Sequence, residues 1–131
     1  MGPMTKRDAA RLLGIRFLLL FLIALFKEWI LFTIFLIEFL GALSNIAVML
    51  ANYGYMPVLI KNEQIEISVQ FSKKHSRMNE RTRLRYLADI FYVKDGVISI
   101  GDYLIDIFYF LFKAYIIIII VSYITGFLVW K

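Results

Sequence analysis

Two long apolar runs constrain this chain more than any other feature. Residues 29–51 contain a single charged side chain, Glu38, and residues 114–130 contain none. A run of about 20 predominantly apolar residues is long enough to cross the hydrocarbon core of a bilayer as an α-helix. Of the 131 residues, 61% are hydrophobic and 19% are charged, whereas a soluble domain has about 45–50% and about 25%. The sequence therefore predicts an all-α integral membrane protein with two to three transmembrane helices.

A shorter apolar run precedes these two. Residues 12–26 are apolar apart from Arg16, and as an α-helix they reach about 22 Å, short of a hydrocarbon core of about 30 Å. Arg16 is close enough to the end of this run for its long side chain to reach the headgroups. The polar pair Lys27–Glu28 favours a tight helical hairpin. A single bent helix over residues 8–51 is the alternative.

The last helix begins at a predicted cap. The segment from Ser99 to Asp102, SIGD, resembles a capping box, in which a serine hydroxyl and an acid bond to free amides at a helix start. Two models fit the residues after this cap: an amphipathic helix at 101–113 leading into a span, or one continuous helix. We prefer the continuous helix because residues 112–116, FKAYI, contain no turn residue. The chain is therefore divided into an N-terminal membrane helical hairpin (1–56), a basic cytoplasmic loop region (57–98) and a C-terminal transmembrane helix (99–131).

The loop region contains several local secondary-structure signals. Asn52 and Gly54 stand where a left-handed cap would end the second span. Residues 65–71 alternate apolar and polar side chains, which is the period of a strand, whereas residues 76–91 have the spacing of a short helix. Asp95–Gly96 between apolar flanks indicates a two-residue hairpin turn. We expect a structured loop with a short helix and a possible β-hairpin.

A cationic block lies within this loop. Residues 73–85 alone sum to +5, equal to the net charge of the whole chain. Each Lys or Arg near an anionic leaflet contributes about 1 kcal/mol of attraction, so contact with anionic lipid headgroups is the leading interpretation. Docking of an acidic partner protein is the second, and no nucleic acid is expected, because the block lacks interleaved aromatic platforms. The basic side chains are Lys73, Lys74, Arg77, Arg81, Arg83 and Arg85.

The distribution of positive charge also predicts a topology. Short loops rich in Lys and Arg stay on the cytoplasmic side of a membrane. If residues 12–26 and 29–51 form a hairpin, the basic residues near the N-terminus share one side with the cationic block, which satisfies this rule. If the first run does not span, the two basic regions fall on opposite sides. The rule therefore favours a multi-pass protein with its N-terminus and basic loop in the cytoplasm.

Several polar side chains lie inside the apolar runs. Ionisable groups in hydrocarbon cost at least about 2.5–3.5 kcal/mol and are therefore rarely without a role. We expect a membrane-interior polar face between the second and last helices, with a Glu38–Lys113 pair as its deepest contact. Gly41, Ala42 and Ser44 would permit close approach of the two backbones. The residues assigned to the polar face are Glu38, Asn45, Asn52, Asp102, Asp106 and Lys113.

Reactive side chains are scarce in this sequence. The absence of cysteine excludes disulfides, thiol catalysis and cysteine metal sites, and the single histidine excludes a multi-histidine metal site. His75 and Asp89 suggest an acid–base pair, but a lone histidine in a charged loop is more often an ordinary surface or capping residue. No catalytic motif accompanies them. We therefore expect no catalytic residues, no enzyme activity, no cofactor and no metal.

Two segments of the chain resemble a known family. Residues 42–58, ALSNIAVMLANYGYMPV, are an apolar stretch that ends in Asn, Gly and Met-Pro-Val, and residues 75–102 run from a His through Leu-x-Asp to Ser-Ile-Gly-Asp. In this order they resemble the small bacterial integral-membrane family called domain of unknown function 5317. The resemblance implies a protein of the bacterial cytoplasmic (inner) membrane with no known activity. The matching residues are Asn52, Gly54, Met56, Pro57, His75, Met78, Thr82, Leu84, Leu87, Asp89, Ser99, Gly101 and Asp102.

These features together favour one function over another. The leading prediction is a small membrane subunit that assembles with other membrane proteins as a structural or accessory component. Its expected partners are the lipid bilayer, anionic headgroups, and other membrane subunits or further copies of the same chain. The alternative is a homo-oligomeric ion or small-solute conductor that uses the intramembrane acids Glu38 and Asp106.

Overall fold

Three long helices account for most of the fold. The computed structural model describes residues 2–94 and 96–129. Within this part of the chain, two helices are long and apolar enough to cross a membrane, at Trp29–Ala51 and Ile100–Gly126. The elements in chain order are α1 (Lys6–Leu25), α2 (Trp29–Ala51), β1 (Met56–Val58), α3 (Glu63–Phe71), β2 (His75–Arg77), a 3-10 helix (Arg85–Leu87), β3 (Phe91–Val93), β4 (Gly96–Ile98) and α4 (Ile100–Val129).

Helices α1 and α2 form a hairpin, so the single bent helix is wrong. Helix α1 begins at a capping box, in which the Thr5 hydroxyl accepts from the Asp8 backbone N–H and the Asp8 carboxylate accepts from the Thr5 N–H. It ends at Leu25, and Lys27 has a left-handed backbone with φ of 57°. A left-handed residue cannot continue an α-helix, so the chain reverses there.

Helix α4 packs antiparallel along α2. Asn45 contacts Asp102 near one end of the pair, and the Phe35 ring lies 5.0 Å from that of Phe108 and 5.5 Å from that of Phe112 further along. Extending this register from Phe35 places Trp29 opposite roughly residue 116. Helix α4 therefore continues past the start of α2 for roughly 13 residues, about 20 Å at the rise of an α-helix. The continuous helix predicted for this segment is confirmed over Ile100–Val129.

Two glycines let the α2 and α4 backbones come into close contact. A Cβ atom on Gly41 would lie 2.7 Å from the carbonyl oxygen of Gly101, and one on Gly101 would lie 2.6 Å from that of Gly41. Real Cβ atoms do not approach backbone oxygens this closely, so any side chain at either position would separate the helices. The prediction that Gly41 permits close approach is confirmed.

The end of α2 is closed by left-handed residues, as predicted, but not by Asn52. The left-handed positions are Tyr53, with φ of 60°, and Gly54, with φ of 89°, whereas Asn52 has φ of −122°. The Gly54 N–H donates to the Met49 carbonyl at 2.7 Å and the Gly54 carbonyl accepts from the Met4 N–H at 2.8 Å. The start of the chain therefore lies at the same end of the hairpin as the loop region.

The strand predicted over residues 65–71 is wrong, because this segment belongs to helix α3. The Asn62 side-chain oxygen accepts from the Ile65 backbone N–H at 2.9 Å and caps the helix. Glu63 and Glu66 lie in the first turn, where negative charge is favourable. The alternation of apolar and polar side chains over seven residues favours a strand only if a neighbouring strand pairs with it. Here the Asn62 cap favours the helix.

The helix predicted over residues 76–91 is also wrong. Strand β2 pairs in parallel with β1, and further on the Asp89 N–H donates to the Pro57 carbonyl while the Leu59 N–H donates to the Asp89 carbonyl. The backbone of β1 and of the residue after it therefore bonds both to β2 and to Asp89. These bonds hold β2 and the backbone around Asp89 in extended conformation. A small core of Val48, Met56 and Ala88 lies behind these bonds. The expected helical stripe of basic residues is therefore absent.

The predicted β-hairpin and the predicted cap of α4 are confirmed. Strands β3 and β4 are antiparallel, and Val93 pairs with Gly96, so the turn lies one residue earlier than expected. Asp95 lies outside the described residues. At the start of α4, the Ser99 hydroxyl accepts from the Asp102 N–H at 3.0 Å, and the Asp102 carboxylate accepts from the Ser99 N–H at 3.2 Å. Over the residues that the structure describes, the fold is thus mostly helical with two small sheets.

Candidate functional site

A polar cluster joins α2 to the start of α4. The Asn45 side-chain amide donates to the Asp102 carboxylate at 2.8 Å and its oxygen accepts from the Ser99 hydroxyl at 2.7 Å. Ser99 is fully buried, and its hydroxyl also accepts the capping bond from Asp102. Each polar atom of the cluster therefore has a partner where the two helices are closest. This contact joins two residues that the sequence assigned to the interior polar face, Asn45 and Asp102, while Ser99 was predicted only as a cap.

Glu38 pairs with Arg16 and not with Lys113. The Arg16 Nε atom lies 2.8 Å and 3.0 Å from the two carboxylate oxygens of Glu38, and the side chains are 29% and 15% exposed. Arg16 also donates to the Leu12 carbonyl. The predicted Glu38–Lys113 pair is wrong, because Glu38 faces α1 whereas α4 packs on a different side of α2. Arg16 therefore forms an interhelical pair.

Asp106 and Lys113 do not join the interior polar face. Both side chains are exposed, as is that of Tyr109 between them. Ile105 lies beside Gly41, and Phe112 lies beside Phe35, so Asp106 is level with the middle of α2 and Lys113 with its first third. The expectation that they point at the second helix is wrong. The small-residue contact at Gly41 and Gly101 turns the face that carries them outward.

Asn52 attaches the basic loop to the end of α2. Its side-chain oxygen accepts from the Arg83 backbone N–H at 2.9 Å, and its amide donates to the Arg83 carbonyl at 2.9 Å and to the Val48 carbonyl at 2.8 Å. This two-way contact replaces the interhelical role expected for Asn52. Leu84 follows in left-handed conformation with φ of 51°. The tip of the basic loop is thus fixed where α2 ends.

The basic side chains of the loop are directed into solvent. Arg77 pairs with Glu66 of α3 at 3.0 Å, with 69% and 40% of the side chains exposed. An exposed pair of this kind contributes about 0–1 kcal/mol. Tyr53 and Tyr86 are 93% and 84% exposed beside the end of α2 and the 3-10 helix. The exposed cations of this block are Lys73, Lys74, Arg77, Arg81, Arg83 and Arg85.

A cleft opens between α3, β2 and the β3–β4 hairpin. Its volume is about 750 Å³, which lies within the range of about 300–1,000 Å³ found for small-molecule sites. His75 and Asp89 line it, with the His75 Nε2 atom 3.6 Å from the Asp89 Oδ2 atom. The His75 Nδ1 atom lies 2.6 Å from the Ser72 hydroxyl. The pair considered from the sequence is therefore brought together, with a serine that the sequence did not indicate.

Burial changes the proton affinity of both members of the pair. Asp89 is 4% exposed, and this burial, with the nearby Asp102 carboxylate as a smaller cause, raises the pKa of Asp89 to about 7. Burial also lowers the pKa of His75. Both shifts favour uncharged side chains. Among the described residues, no group of three or more metal-ligating side chains could hold a metal ion.

Comparison with known proteins identifies the family. A family model described as a family of unknown function (DUF5317) matches residues 4–114, which cover the hairpin, the loop region and half of α4. No curated protein and no solved structure matches the chain. The match includes both segments on which the resemblance was based.

Proposed function

We propose that this chain, which belongs to the family of unknown function DUF5317, is a small membrane subunit that assembles with other membrane proteins as a structural or accessory component. In this proposal α2 and α4 cross the bacterial cytoplasmic membrane. The basic loop and the N-terminus lie at the cytoplasmic leaflet. The proposal rests on the charged side chains that α4 exposes at the level of the bilayer.

The two exposed charges on α4 favour a protein partner over lipid. Asp106 and Lys113 lie about 10 Å apart along the helix, level with the middle and the first third of α2 respectively. If α2 spans the bilayer, both face outward within the hydrocarbon, where each charge costs at least about 2.5–3.5 kcal/mol. A neighbouring helix with polar groups at the same two levels would remove that cost. The exposed Tyr109 hydroxyl between them would add a hydrogen-bonding group.

The apolar extension of α4 supports the same conclusion. Side chains from Ile116 to Val121, together with Tyr123 and Ile124, are exposed on every side of the helix. This segment runs past the start of α2, so the other helices of the chain do not cover it. A helix that is apolar all round is buried in lipid or in a larger protein. Contact with further membrane subunits would cover both this segment and the charged face before it.

The orientation follows from the arrangement at the end of α2. The bond between Met4 and Gly54 places the start of the chain at the same end of the hairpin as the basic loop. Both basic regions then lie on one side of the membrane, and the positive-inside rule assigns that side to the cytoplasm. Because Asn52 fixes Arg83 there, the loop cations would lie against the anionic headgroups.

Purification from native membranes in mild detergent tests the proposal. We expect wild-type protein to retain foreign membrane subunits in fixed stoichiometry, and a double substitution of Asp106→Leu and Lys113→Leu to lose them. Thr33→Leu is the matched control because it adds the same side chain at an exposed polar position of α2, outside the proposed contact surface on α4. This control should retain the partners.

A second result would contradict assembly with other proteins. Recovery of a pure homo-oligomer from native membranes, with ion flux after reconstitution, would instead support the conductor that was the alternative. Nothing in the arrangement favours that alternative, since Glu38 is paired with Arg16 on one side of the bundle and Asp106 is exposed on another. The conductor therefore stays a prediction from the sequence alone.

A further inference from the structure

The cleft beside α3 has an unused hydrogen-bonding group at its base. The Asp89 Oδ1 atom is buried and has no hydrogen-bond partner, although Asp89 is 4% exposed. The backbone of Asp89 is fixed on both sides by its bonds to Pro57 and Leu59. An unpaired buried polar atom costs about 1–3 kcal/mol. A rigid backbone prevents the side chain from turning away, so the Asp89 carboxyl, which lines the cleft, stays next to a molecule that enters it.

The hydrogen bonds around His75 define a second group in the cleft. The Lys74 N–H donates to the Ser72 hydroxyl oxygen at 3.3 Å, and the same hydroxyl lies 2.6 Å from the Nδ1 atom of His75, to which it donates in one of the two neutral tautomers. A neutral imidazole that accepts at Nδ1 carries its hydrogen at Nε2. In this tautomer the Nε2–H points toward the side of the cleft that holds Asp89. An acceptor and a donor stand next to each other at the base of the cleft.

The charges around the cleft restrict what can bind. Lys94 is a cation on the lining, but an anion at the base of the cleft would meet the Asp89 carboxyl, whose burial already opposes added negative charge. A divalent cation would find one carboxylate and one imidazole, and the described residues offer no group of three ligating side chains. A neutral hydroxyl matches the pair, because it can donate to the Asp89 carboxyl and accept from the His75 Nε2–H.

The rest of the lining fits the same ligand class. The side chains of Gln64 and Ser68 offer further polar groups, while Ile65, Val69 and Val97 form apolar walls. Sugars and polyols combine hydroxyl groups with apolar C–H surfaces, and ligand sites generally pair apolar walls with a few convergent polar groups. We propose that the cleft binds a small neutral polyhydroxylated molecule, a sugar or polyol unit, through the Asp89 carboxyl and the His75 imidazole.

Two sources supply this chemistry, and binding measurements separate them. The first arm titrates glucose, myo-inositol and glycerol, up to about 50 mM and so above a millimolar Kd, into full-length protein in a detergent without a sugar headgroup. The second compares bilayers with and without a diglucosyl lipid. Binding in the first arm indicates a free ligand, and binding in the second alone indicates a glycolipid headgroup. Heat of binding and saturation-transfer NMR are the readouts.

Substitutions in the cleft test whether the ligand binds there. Asp89→Leu should weaken binding at least about tenfold, the effect expected when a ligand hydroxyl loses its buried partner. If this variant does not fold, Ser68→Trp serves instead, since it fills the cleft from an exposed position of α3. Gln70→Trp is the matched control on the same helix and should bind normally.

Three outcomes would overturn the proposal. The first is an absence of binding to folded wild-type protein in both arms. The second is sugar binding that Ser68→Trp leaves unchanged. The third is tighter binding of ethanolamine or inorganic phosphate at the same cleft, because either would show that the site selects a charge.

Discussion

The three-helix bundle and the loop region from residue 52 to 98 are stabilised in different ways. In the bundle, long apolar helices contact each other over many turns, and α2 and α4 come closest at Gly41 and Gly101. In the loop region, strands of three residues are held by bonds between distant segments and by a core of three buried side chains. Substitutions that add volume should therefore damage the bundle most, whereas loss of a single polar partner should damage the loop most.

The largest effect is expected at the closest contact in the bundle. Gly101→Leu places a side chain against the Asn45 side chain and the Gly41 carbonyl. Overpacking costs about 1–3 kcal/mol, and leaving a buried polar partner unpaired adds about 1–3 kcal/mol. We expect the free energy of unfolding, measured by titration with SDS, to fall by about 3–5 kcal/mol.

Glycines elsewhere in the bundle provide the control for this prediction. A Cβ atom on Gly14 in α1 would have no neighbour within 4 Å. Gly14→Ala should therefore raise stability by roughly 0.5–1 kcal/mol, as expected for a helix interior, whereas Gly101→Ala should lower it. Equal effects at the two positions would show that close approach does not hold α2 to α4.

The next effect concerns the ion pair between α1 and α2. Arg16→Met or Glu38→Met leaves one partly buried charge without its partner, and each should cost about 2–3 kcal/mol. The double substitution removes both charges and should recover most of that loss. A double-mutant cycle of unfolding free energies in detergent measures the coupling. Additive losses would mean that the pair contributes nothing to hairpin stability.

A smaller and local effect is expected in the loop region. Asn52→Ala removes both side-chain bonds to Arg83, so residues 81–88 should exchange their amide hydrogens faster, by roughly 30-fold for about 2 kcal/mol. Trypsin should also cleave sooner after the arginines of this segment. The control is Asn62→Ala, which removes the cap of α3 and should accelerate exchange in α3 alone. Unchanged exchange in Asn52→Ala would show that the tip is held by other contacts.

The same comparison explains how much the sequence could predict. In the bundle, the length of the apolar runs and local caps determine the elements, so the helices, the Ser99–Asp102 cap and the contact at Gly41 were predictable. The partner of Glu38 was not. The position of Glu38 on α2 allows a contact with either neighbouring helix. Glu38 bonds to Arg16 because α1 packs against that side of α2.

In the loop region, local patterns predicted less, because the decisive partners are far apart in the chain. The side chain of Asn52 bonds to Arg83, and β1 bonds to β2 and to Asp89. A single sequence gives no measure of such pairing, so the extended segment was assigned to a helix from its spacing. In contrast, the hairpin before Ser99 joins neighbouring residues and was found. The cleft is formed by segments that are far apart in the chain, so no short stretch of the sequence indicated it.

The smallest effect is a pH dependence that originates in the loop region. The pKa of Asp89 is about 7 in the folded protein and ordinarily 3.8, so between these values the folded state holds a proton that the unfolded state releases. Raising the pH from about 4 to about 7 should therefore lower wild-type stability relative to Asp89→Asn, by about 1–2 kcal/mol in a partly solvated cleft. Above pH 7 the difference should stay constant.

His75 contributes with the opposite sign, which separates it from Asp89. Its lowered pKa means that the unfolded state takes up a proton before the folded state does, so stability is lost as the pH falls through 6.5. His75→Gln should remove this loss on the acid side while keeping the decline toward pH 7. Because His75 is present in both wild type and Asp89→Asn, their difference in melting temperature across pH 4–8 reports the carboxyl. Parallel melting curves for these two proteins would mean that the Asp89 carboxyl is ionised in the folded state over the whole range, and the buried acceptor of the cleft would then carry a full charge.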